Sequence, residues 1–116
     1  MVNYIQKLKG APIEVFEEIE NTSTSKIYGM KGHNSILVHV KLSATGSPEW
    51  TVKLQGAPTF DGEFVDLYDG STALSTGTLS SDRCVMLKGV PEYIKVVATE
   101  DSGTGNCTVN IIPLTM

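Results

Sequence analysis

SILVHVKLS, residues 35–43, decides the fold. Ile36, Val38, Val40 and Leu42 alternate with Leu37, His39 and Lys41, and a side-chain period of two marks an extended strand with one buried face. A helix would scatter the same four residues around its circumference, because its period is 3.6. The next apolar stretch, WTVKLQ at 50–55, repeats the pattern, with Trp50, Val52 and Leu54 on one side and Thr51, Lys53 and Gln55 on the other. TGSP, 45–48, lies between them and has turn chemistry, so the two strands are expected to form a hairpin.

Working outward, further strands are predicted at EFVDLYD (63–69), RCVMLK (83–88), EYIKVVAT (92–99) and NCTVNII (106–112). The segments between them are rich in Gly, Ser, Thr and Asp; they include Asp61-Gly62, Asp69-Gly70, GSTALSTGTLSS and EDSGTG, and all read as turn or solvated loop. PIEVFEEIE, 12–20, has two readings: a strand through Ile13 and Val15, or a short helix with Pro12 at its first position burying Val15, Phe16 and Ile19. The strand is preferred, because NTSTSKIYGM follows with β-favouring residues and every other element reads as strand. Seven to nine short antiparallel strands predict an all-β chain, a two-sheet sandwich or jelly roll. Residues 1–12 form an N-terminal arm and 13–116 a single domain.

LKGAP at 8–12, LQGAP at 54–58 and LKGVP at 87–91 resemble one another, but their spacings of 46 and 33 residues define no fixed repeat. In each, Leu ends an apolar segment, Gly permits a turn and Pro removes a ladder donor. They are expected to punctuate strand ends; clustering of these loops at one rim to bind something is the rarer alternative.

Chemistry-bearing constellations are sparse. His33 sits in the turn-like KGHNS and His39 on the polar face of its strand, with no Cys or carboxylate at zinc-ligand spacing. FDGEFVDLYDG, 60–70, offers Asp61, Glu63, Asp66 and Asp69, but Val65 occupies a ligand position and the distal Glu of a calcium loop is misplaced. Turns at the two Asp-Gly pairs, with Asp66 facing solvent, are expected instead. No G-x-S-x-G, S-x-x-K, C-x-x-C, P-loop or dinucleotide fingerprint occurs. The chain is therefore expected to be non-enzymatic, with no cofactor and no metal. Cys107 alternates with Val109 and Ile111 toward the core, whereas Val85 and Leu87 turn Cys84 outward, so two unbonded thiols are expected.

At 116 residues with a net charge of −4 and scattered basic side chains, the chain has the size of one domain and lacks the basic patch that nucleic acid requires. No stretch approaches the ~20 apolar residues of a membrane span, and MVNYIQKLKG lacks a signal-peptide pattern, so synthesis in the cytoplasm with no membrane partner is expected.

WTVKLQG, then FVDLYD, then LKGVPEYIKVVAT and a final CTVNII strand together resemble the small β-sandwich virion proteins of tailed bacteriophages. The similarity covers residues 50–112. Trp50, Val52, Leu54, Gln55 and Gly56 carry its first element, Phe64 to Leu67 its second, and Gly89, Val90, Pro91, Tyr93, Ile94, Lys95 and Val96 its third. The resemblance implies a capsid decoration (cement) protein on the capsid surface, often a homotrimer, whose partner is the major capsid protein. A tail or head-fibre component is the alternative within the virion. A carbohydrate-binding module is the alternative outside it and would need Tyr28, Tyr68 or Trp50 as an exposed platform. Within the arm, Tyr4, Ile5 and Leu8 are the expected anchors against a neighbouring subunit; pairing of the arm as a strand of its own domain is the competing expectation.

Overall fold

A computed structural model describes residues 11–115. Its strands are β1 (Ile13–Ile19), β2 (Ser23–Thr24), β3 (Tyr28–Gly29), β4 (Ser35–Leu42), β5 (Glu49–Ala57), β6 (Val65–Asp66), β7 (Tyr68–Asp69), β8 (Thr72–Ala73), β9 (Ser75–Leu79), β10 (Arg83–Lys88), β11 (Tyr93–Ser102) and β12 (Cys107–Leu114). One sheet has the order β1-β12-β4-β10; the other runs β2-β11-β5-β6, with β3 also on β11 and β9 also on β5. All pairings are antiparallel, and β7 and β8 form a small separate ribbon. The fold is an all-β sandwich, as the alternation predicts.

The predicted inward faces form its core. Ile36, Val38 and Val40 of β4 face Trp50, Val52 and Leu54 of β5, with Ile94, Val96 and Ala98 of β11 and Cys107, Val109 and Ile111 of β12, and all of these are fully buried. At about 1.5–3 kcal/mol for each fully buried large aliphatic or aromatic side chain, this interior dominates the folding free energy. Cys84 and Cys107 are unbonded, the first exposed and the second buried.

The expected hairpin between residues 35–43 and 50–55 is not formed. β4 pairs with β10 and β12, whereas β5 pairs with β11, β6 and β9. Both strands are apolar on one face only, so each closes the core from its own sheet, and the 43–48 connection crosses between layers. It is tied to the 103–106 loop: Ser43 N–H donates to Asn106 O at 3.0 Å, Asn106 N–H to Ser43 Oγ at 3.0 Å, and Thr104 N–H to Gly46 O at 2.9 Å.

Two Ser/Thr-rich segments are structural. Residues 75–79 form β9, paired through Trp50↔Leu79 and Thr51↔Thr78, because Leu74 and Leu79 reach the core. The TSTS run, 22–25, covers the free edge of β11: Val96 N–H donates to Ser25 Oγ at 2.8 Å and Glu100 N–H to Thr22 Oγ1 at 3.0 Å. Conversely, the expected strand 63–69 breaks into β6 and β7, because Leu67 turns inward to the core and its N–H donates to Leu54 O at 3.0 Å.

Of the three Gly-Pro segments, the one at 87–91 is strand-end punctuation, with Gly89 at φ +83° between β10 and β11. The 54–58 segment differs, since β5 continues through Gly56 and Ala57. Gly56 is there for close approach: a Cβ on it would lie 2.7 Å from Pro91 Cγ and 2.8 Å from Leu67 Cδ2. These two segments therefore meet in space. The residues 8–10 of the first lie outside the described part.

Candidate interaction surface

The chain between β5 and β9 leaves the sandwich and returns, and its base is fixed by three leucines. Leu67 N–H donates to Leu54 O at 3.0 Å, Leu74 N–H to Leu67 O at 2.9 Å, and Leu54 N–H to Leu74 O at 3.1 Å. These bonds close the base of the excursion onto β5, and the stretch beyond them presents side chains outward. Phe60, Val65 and Tyr68 are 62%, 56% and 57% exposed, which for large apolar groups is a substantial unmet burial. Met86, on β10 of the other sheet, is the further exposed large apolar side chain among the described residues.

The excursion is held onto the outer face of its sheet by polar and aromatic contacts. Lys53 Nζ and Gln55 Nε2 reach the Asp66 carboxylate at 3.1 and 3.0 Å, and the Gln55 and Lys53 hydrogen bonds hold the Asp66 carboxyl below its ordinary range. Lys95 Nζ stands 4.7 Å from the Phe64 ring centroid. Phe60 meets Tyr93 edge to face at 5.9 Å, a geometry favoured by ring quadrupoles. Asp61, Glu63 and Asp69 are exposed and have no cation beside them among the described residues.

Below the excursion, Glu92 braces the 30–34 turn. Its carboxylate accepts Lys31 N–H at 2.7 Å and Gly32 N–H at 3.0 Å, where both residues have positive φ. These backbone donors, Gly32 first and then Lys31, lower the Glu92 pKa.

The sequence-predicted site residues do not converge. Tyr4, Ile5 and Leu8 lie outside the described residues. Trp50 is fully buried; Tyr28 is half-buried with Lys26 Nζ 5.6 Å from its ring centroid; Tyr68 alone of the three is well exposed. A flat platform built from them does not exist. His33 Nδ1 is 2.8 Å from Thr115 Oγ1, while His39 stands on the outer face of the other sheet opposite Cys84 and Asn110. Among the described residues, no three His, Cys, Asp or Glu side chains group to hold a metal. An open cleft of about 510 Å³ is lined by Glu14, Glu17, Glu18, Lys41, Asp82 and Asn106, among others. Two of its polar groups already serve the fold: Leu42 N–H donates to Asp82 Oδ1 at 2.8 Å, and Ser43 N–H to the Asn106 carbonyl.

Phe60, Val65 and Tyr93 are the surface residues that sequence reasoning missed. A signal was present, because residues 54–82 contain no Lys or Arg while carrying aromatic groups among Asp61, Glu63, Asp66 and Asp69. That pattern lacks the alternation of a half-buried strand.

No protein-family model matches the sequence, and no curated protein does. Solved structures do. The SPBc2 prophage-derived protein YomS superposes with a TM-score of 0.62 at 16% identity, over 92% of this chain and 93% of that one. PirA gives a TM-score of 0.37 at 15% identity, over 88% and 91%. The CsCBM6-3 domain of Clostridium stercorarium, solved with cellobiose, gives 0.37 at 16%, over 92% and 85%. At such identities the YomS likeness defines a shared β-sandwich class from end to end.

Proposed function

We propose that this chain is a non-enzymatic virion structural protein of a tailed phage, acting as a capsid decoration protein that binds the outer capsid surface as a homotrimer. The observation that carries the reading is the end-to-end correspondence with a prophage-derived protein. It is supported by the way the polar surface is used: Asp66, Asp82, Glu92 and Asp101 each accept a hydrogen bond from a neighbouring strand or loop, so these carboxylates serve architecture. The partner is the major capsid protein, and Tyr4, Ile5 and Leu8 are the anchors of the arm against a neighbouring subunit. The mechanism is mass action. A protein that binds the assembled lattice and not loose subunits shifts the balance toward the lattice, by about 2.7 kcal/mol per site at a hundredfold excess over Kd.

Purified protein should co-sediment with mature shells and raise their disruption temperature. Binding to isolated tails or fibres and not to shells would place it elsewhere in the virion. Failure to bind any of them would overturn the reading.

A further inference from the structure

We propose that residues 1–10 of one copy dock onto the acidic, aromatic excursion, residues 58–73, of a neighbouring copy. The two segments complement each other. MVNYIQKLKG carries Lys7 and Lys9 with no carboxylate, interleaved with Val2, Tyr4, Ile5 and Leu8. The excursion carries Asp61, Glu63, Asp66 and Asp69 with no Lys or Arg, and presents three of the four large exposed apolar side chains of the described residues, Phe60, Val65 and Tyr68. Among its carboxylates only Asp66 has a cationic partner, Lys53, among the described residues. A segment that is basic and apolar meeting a surface that is acidic and apolar gains steering from charge and most of its affinity from the aromatic and aliphatic groups.

The arm precedes β1, an edge strand of one sheet, whereas the excursion lies on the outer face of the other, with Phe60 against Tyr93 and Phe64 beneath Lys95 of β11. Donor segment and receiving surface thus belong to different sheets, and the contact proposed is between two copies. Such a contact is head-to-tail, and head-to-tail contacts close into rings when the rotation permits. The inference rests on the arm's anchoring role and not on the capsid, so its test needs only the purified chain.

Two full-length variants decide it: an arm variant, Tyr4→Ser with Ile5→Ser and Leu8→Ser, and a patch variant, Phe60→Ser with Tyr68→Ser. By sedimentation equilibrium, the parent should be oligomeric and each variant alone monomeric, with parent-like thermal unfolding. An equimolar mixture should form a 1:1 dimer, because one partner keeps its arm and the other its patch. If the serines unfold either variant, charge reversal replaces them: Lys7→Glu with Lys9→Glu should weaken assembly by on the order of tenfold or more, and Asp61→Lys with Glu63→Lys in the same chain should restore it. A monomeric parent, an arm variant that still assembles, a mixture that stays monomeric, or a charge pair without rescue each overturns the proposal. Loss of capsid binding with assembly intact would instead count against the decoration reading alone.

Discussion

Trp50 holds two opposing free energies in one side chain. Its ring is fully buried between the sheets, while its indole Nε1 is buried with no hydrogen-bond partner among the described residues. A buried orphan donor costs about 1–3 kcal/mol, so the fold tolerates it only because the aromatic bulk contributes more. Trp50→Ala removes that bulk and should destabilise by about 3–5 kcal/mol, read as a lower urea midpoint. Trp50→Phe should cost distinctly less, since it keeps an aromatic ring and deletes the orphan donor. An alanine variant that unfolds like the parent would contradict the core position of this residue and revive it as a surface group.

At the scale of elements, the joint between β5 and the excursion depends on the missing side chain of Gly56. A methyl group there would press on Pro91 and Leu67, and overpacking of this kind costs about 1–3 kcal/mol. Gly56→Ala should therefore lower the melting temperature. It should also speed hydrogen exchange at the Leu67 amide, which donates to Leu54 O, and unchanged exchange there would mean that the joint does not depend on this contact. The same elements explain what the sequence could and could not convey. β4, β5, β11 and β12 were legible because each buries one face continuously, so period two survives in the residues themselves. β1 was ambiguous for a physical reason: register shifts between Glu14 and Phe16, and between Phe16 and Ile19, bring Ile13, Phe16 and Ile19 opposite the buried Ile111, Val109 and Cys107. A spacing of three imitates a helix. Glu18, at φ +48°, makes the second bulge, and bulges with acidic side chains on an outer strand discourage edge-to-edge pairing. β9 was hidden because Leu74 and Leu79 supply its anchorage at the ends, with only Ser, Thr and Gly between. Strand partners were illegible altogether, since alternation tells which face is buried and not which sheet a strand joins. The interaction surface was half legible: its acidic, Lys- and Arg-free composition is in the sequence, but the exposure of Phe60 follows from Leu67 and Leu74 turning inward, a fact of packing.

For the whole molecule, the titrating groups set a pH window for stability. Glu92 and Asp66 have lowered pKa values in the fold; their contribution is present above the unfolded values and is lost as pH falls below about 4.5 and 3.8 toward the lowered folded values. Both groups are exposed, so the acid limb should be shallow. Cys107 acts on the other side. Burial pushes its thiol from 9.0 up to about 12, so the folded state keeps a proton that the unfolded state releases. Its contribution is complete below pH 9 and declines as pH rises from 9 toward 12, by on the order of 1 kcal/mol at pH 10, since each pKa unit corresponds to about 1.4 kcal/mol. Unfolding free energies from urea titrations at pH 8 and pH 10 should differ by about this amount in the parent, lower at pH 10. In Cys107→Ala, which is destabilised at both pH values by the lost volume, the fall between them should shrink by the thiol's share; Tyr28, whose hydroxyl is also raised by burial, acts in the same direction. An equal fall in both proteins would show that Cys107 ionises as readily in the folded chain as in the unfolded one, which a side chain closed between two sheets does not permit.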